Sequence, residues 1–81
     1  MLHPSDIDFR RRLIARVEAL RLDAKITRLD FHQQIGPLAS HFWRQFVSLS
    51  DEEAWQHFSL NGISRIADVL GVDAELLQFR S

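Results

Sequence analysis

Ser59-Leu60-Asn61-Gly62-Ile63-Ser64-Arg65-Ile66-Ala67-Asp68-Val69-Leu70-Gly71-Val72 is the stretch on which the fold turns. Leu60, Ile63, Ile66, Ala67 and Leu70 recur at intervals of three and one. That spacing lays them along one face of a helix that follows Ser59. Gly71 stops the helix, because glycine accepts the left-handed backbone of a tight exit. A last short helix from Asp73 carries Leu76, Leu77 and Phe79 toward the same core.

Working upstream, the pattern stays helical. Only three Gly and two Pro interrupt the chain, and no apolar residues alternate at period two. The spacing predicts a first helix near Ser5, where Ser5-x-x-Asp8 resembles a capping box just after Pro4. Phe9, Leu13, Val17, Leu20 and Ala24 form its apolar face. Thr27 caps a second helix ahead of Asp30, with Phe31 and Ile35 facing inward. Gly36 ends that helix, and Pro37 suits the first turn of the next. The third helix runs over 37–48. Leu38, Ala39, Phe42, Trp43, Phe46 and Val47 make a wide apolar face, with Ser40, His41, Arg44, Gln45 and Ser48 on the opposite arc. No member of that arc is an acid, and every one can donate a hydrogen bond. Ser50-x-x-Glu53 caps a fourth, acidic helix anchored by Trp55 and Phe58.

Length and composition set the outer bounds. The 81 residues suffice for one helical domain over 1–81. The absence of cysteine points to the reducing cytoplasm, since a secreted domain this small leans on disulfides. The N-terminal stretch carries acids without a long apolar run, unlike a signal peptide. No stretch reaches membrane-spanning length, so no membrane partner is expected. Net charge is only −1, but it is unevenly placed. Residues 1–48 hold eight Lys/Arg against five acids, and residues 49–81 hold Arg65 and Arg80 against six. Such asymmetry orients a protein on a polyanion.

The stretch Ser59–Val72, followed by Leu76, resembles the C-terminal helices of lambda-repressor-like helix-turn-helix domains. These often read S-L-x-x-L-x-x-I-A-x-x-L-G-V. Upstream, Thr27 to Phe46 resembles the helix-turn-helix itself. Thr27 falls at a capping position, Phe31 and Ile35 at core positions, Gly36 at the turn glycine and Phe42 in the recognition helix. The resemblance implies an all-α fold, a compact bundle of about five short helices with a helix-turn-helix over 27–48. The chain departs from the family pattern at three places. His32 stands where the family prefers Ala, Pro37 replaces an apolar residue after the turn, and residues 49–58 replace a short loop with an extra acidic segment. Making 50–58 the recognition helix instead would set Asp51, Glu52 and Glu53 against phosphates, which repels.

Two functional readings follow. In the first, the protein is a sequence-specific, repressor-like regulator that binds double-stranded DNA with the 37–48 helix in the major groove. Arg44 would read guanine, whose O6 and N7 match a guanidinium fork, and Gln45 would pair with adenine. Ser40 and His41 complete the reading face. Thr27 and Arg28, with Lys25, would hold a phosphate. Such proteins usually act as homodimers across two half-sites. In the second reading, the chain is a small protein-interaction module, such as an inhibitor or antitoxin-like adaptor. It would act through an aromatic and acidic surface around 43–58, where Trp43, Trp55 and Phe58 meet Asp51–Glu53. His3, His32, His41 and His57 form no metal-ligand spacing, no cofactor motif appears, and no nucleophile motif suggests an enzyme.

Overall fold

A computed structural model describes residues 3–78, except for the side chains of Leu76 and Gln78. Expectations for Phe79 and for the Leu76 side chain fall outside the described residues. Among the described residues six helices follow in order: α1 Pro4–Asp23, α2 Arg28–Ile35, α3 Pro37–Ser48, α4 Asp51–Gln56, α5 Leu60–Leu70 and α6 Ala74–Gln78. There is no strand among the described residues, so the expected all-α bundle is what forms.

Local chemistry explains most of the boundaries. Thr27 Oγ1 accepts from the Asp30 amide at 3.1 Å, Ser50 Oγ from Glu53 at 3.4 Å and Ser59 Oγ from Gly62 at 2.9 Å. Each hydroxyl satisfies one orphan donor of its helix. At α1 the expected cap shifts upstream from Ser5 to His3. His3, not Ser5, is the cap: its Nδ1 accepts from the Ser5 amide at 3.1 Å, and Pro4 occupies the first helical position. Pro there lacks only an N–H that would be unpaired anyway.

Gly71 (φ 73°, ψ 29°) closes α5 as expected. Its amide donates to Asp68 O at 3.2 Å, and that of Val72 donates to Ala67 O at 3.0 Å. This is the paired bonding of a Schellman motif. The same motif closes α1 at Lys25, which adopts φ 59° although it carries a side chain. Its amide donates to Leu22 O at 3.0 Å and that of Ile26 to Arg21 O at 3.1 Å.

The α2–α3 connection is a single residue. Gly36 (φ 90°, ψ 168°) ends α2 and begins α3, in a region that only glycine adopts readily. So short a link folds α3 back along α2. Ala39, Phe42, Trp43 and Phe46 are buried between α2 and α5. Leu13, Val17, Phe31, Ile35, Ala54, Ile63, Ile66, Ala67 and Leu77 complete the core. At Gly62 an added Cβ would lie 2.9 Å from Phe42 Cε2, so glycine there lets α5 press against the Phe42 ring.

The apolar faces are narrower than the helical periodicity predicts. Leu38 is 88% exposed, and Val47, Leu60 and Ala24 are exposed as well. Leu38 and Leu60 sit in the first turns of α3 and α5, where no neighbouring element reaches over them. Ser40 moves the other way. The tight link turns it toward α2, where it is 8% exposed.

Candidate nucleic-acid interface

α3 presents a narrower polar arc than its sequence predicts. His41 and Arg44 are exposed, and Gln45 is half-buried. Ser40 leaves the set of side chains able to touch a base. Its hydroxyl shares a 2.7 Å hydrogen bond with His32 Nδ1 inside the α2–α3 contact. His32 therefore sits in the α2–α3 contact, with Ser40 as its polar partner.

Burial, and then the charge of Arg44, push the pKa of His32 below its ordinary value. The unfolded chain consequently binds more protons than the folded one in the window just below pH 6.5. Stability should be full above that window and fall as the pH drops through it toward the lowered folded value. The urea midpoint measured at pH 7.5 and again at pH 5.5 checks this. His32→Gln should flatten the difference, and an equal slope in the variant would assign the effect to other groups.

Thr27 and Arg28 lie at the start of α2 as expected, and both are exposed. The Arg28 side chain is 79% exposed, with Nη2 3.4 Å from Glu18 Oε1. Glu18 also takes the Arg21 guanidinium, and that hydrogen bond holds its carboxyl below the usual carboxylate range. Lys25 is exposed in the preceding corner.

Two grooves flank α3. The first, against α1 and α2, gathers Arg28, His32, Arg44 and Ser48 around Glu18. The second, against α5, gathers His41 and Gln45 with His57, Asn61 and Arg65. Nothing local in the sequence points to these last three. Arg65 reaches the site by donating to Ile35 O at 3.2 Å and Gln34 O at 3.4 Å, from thirty residues away. The helix thus stands between two flanks that carry cations, and α3 itself holds no carboxylate.

Two connections bear on the expected helix-turn-helix. A turn of three to four residues is usual between the two helices, whereas here Gly36 alone connects them. A three-residue, glycine-led turn does occur at Gly71-Val72-Asp73, between α5 and α6. It sets Asp73 and Glu75 at the start of the second helix, which phosphates would repel.

The aromatic surface around 43–58 is mostly core. Trp43 is 6% exposed, and Trp55 and Phe58 are half-buried against Phe46. Asp51 pairs with Arg10 at 2.7 Å, which leaves Glu52 and Glu53 exposed beside it.

No helix of the described residues is long and apolar enough to cross a membrane. The chain matches no protein-family model, and no curated protein or solved structure matches it.

Proposed function

We propose that the protein is a sequence-specific, double-stranded DNA-binding regulator of the repressor type, with α3 as its reading helix. The observation that carries this is an acid-free α3 whose exposed Arg44 and His41 lie between two cation-bearing flanks. A helix in the major groove needs donors facing the base edges and cations facing the phosphates on both sides. Arg44 supplies the bidentate donor and Gln45 the amide. Arg28 faces one phosphate strand, with Arg65 and His57 toward the other. The role is binding rather than catalysis, and the cysteine-free composition suits a cytoplasmic setting. One domain offers few phosphate contacts, so the working form is a homodimer on half-sites about one helical turn apart.

Selection from a random duplex pool at two salt concentrations tests the reading. A short palindromic motif should be enriched, and affinity should fall as salt rises. On that motif, Arg44→Ala should weaken binding by about 1–3 kcal/mol, roughly 5- to 150-fold, and relax one base position. Arg28→Ala should weaken all sequences alike and reduce the salt slope by about one. A pool that stays random at low salt would overturn the proposal.

A further inference from the structure

The groove between α3 and α5 has a volume of ≈ 620 Å³, within the range of small-molecule sites. Its floor is apolar, formed by Ile35, Pro37, Ala39 and Phe42, and Leu38 stands exposed on its rim. Its polar lining is His41, Gln45, His57, Ser59, Asn61 and Arg65, with no carboxylate among them.

Arg65 determines the chemistry of the occupant. Its Nε and Nη2 donate to two main-chain carbonyls at the end of α2. Those bonds fix the plane of the guanidinium and leave its charge in place. Among the described residues, no carboxylate forms an ion pair with it. A guanidinium has five N–H donors, and among the described residues the remaining ones meet no protein acceptor. An oriented fork beside an apolar floor favours one acid group joined to one apolar body.

We propose that this groove binds a small amphipathic carboxylic acid, with its carboxylate on Arg65 and its apolar body on Pro37, Ala39 and Phe42. An acid of about thirteen non-hydrogen atoms is expected to bind near 1 mM. His41 and Gln45 belong both to the groove and to the exposed arc of α3. Occupancy therefore competes with DNA. That consequence alone rests on the DNA reading; the binding of the acid does not.

Amide chemical shifts of the full chain, titrated with 1-naphthoate, test the proposal, with neutral 1-naphthamide as the matched control. Naphthoate should give saturable shifts confined to residues around 36–42 and 61–65. It should bind about tenfold more tightly than the amide, as a charge-assisted bidentate contact requires. Arg65→Gln should erase that preference, and Arg65→Lys should keep part of it. Unchanged resonances elsewhere report that both variants fold. Failure of naphthoate to saturate by about 10 mM overturns the site, as does equal binding of acid and amide, or a preference that survives Arg65→Gln. If naphthoate saturates while the duplex pool yields no motif, the DNA reading falls and the ligand site stands.

Discussion

Arg10→Ala is expected to lower the stability of the fold by about 3 kcal/mol, a large share of the ~5–15 kcal/mol typical of a small domain. Arg10 projects from α1 and is 8% exposed. Its Nε donates to Phe46 O at 2.9 Å, and its Nη2 donates to Val47 O at 3.2 Å and Leu49 O at 2.9 Å. These carbonyls lie in the last turn of α3 and at its C-cap, Leu49, where no further helical turn can satisfy them. Nη1 reaches Asp51 Oδ1 at 2.7 Å in the first turn of α4, and the guanidinium lies 5.6 Å from the centre of the Phe46 ring. One side chain thus joins three helices.

Breaking a buried ion pair costs ~3–5 kcal/mol. The low end applies here because Asp51, with 29% of its side chain accessible, regains water when its partner goes. For a domain of this size the loss amounts to roughly 12–24 °C in Tm. Arg10→Lys should recover only part of it, since an ammonium cannot span the carbonyls and the carboxylate in one plane. Urea denaturation gives the test. A loss below about 1 kcal/mol for Arg10→Ala would mean that water replaces the clamp at little cost.

Nothing near Arg10 in the sequence announces that clamp. Arg10, Arg11 and Arg12 read alike, and only the fold brings the first of them against residues 36 to 41 positions away. The same limit explains Arg65. What the sequence did disclose is local: hydroxyl caps at Thr27 and Ser50, the helix that follows Ser59, the left-handed exit at Gly71, and the Gly36-Pro37 junction. Each depends on interactions within about four residues.

Helical periodicity gives the direction of a buried face but not its width. Leu38, Val47 and Leu60 lie on the predicted faces yet remain exposed, because coverage depends on which neighbouring helix reaches them. Its position on the polar arc marks Ser40 as solvent-facing. The one-residue link instead pairs it with His32, and a buried hydroxyl is acceptable once it has a partner. In sequence Lys25 offers only a charge beside Thr27 and Arg28. It also carries the left-handed turn that lets α2 begin, a task for which its sequence gives no cue.

Phe46→Ala is expected to have the other large effect, about 3–5 kcal/mol. Phe46 has no accessible surface. Its ring centre lies 5.4 Å from that of Trp55, 5.5 Å from Phe42, 5.7 Å from Phe58 and 5.8 Å from Trp43. Rings at these separations gain from edge and offset contacts as well as from burial. Truncation removes the centre of the cluster. The walls are held by α3, α4 and Arg10, so they collapse only partly into the void. Phe46→Leu keeps most of the volume and should cost less than half as much.

The Arg10 and Phe46 losses should not add. Arg10 bonds to the Phe46 carbonyl and lies over its ring, and residues in direct contact couple by ~0.5–3 kcal/mol. A double-mutant cycle by urea denaturation, using Arg10→Met to keep the double variant folded, separates the ring contact from the carbonyl bonds. Coupling near zero would show that Arg10 acts through the α3 carbonyls and Asp51 alone. Coupling above about 0.5 kcal/mol would make the arginine part of the aromatic core that holds α3, and the residues it displays, in place.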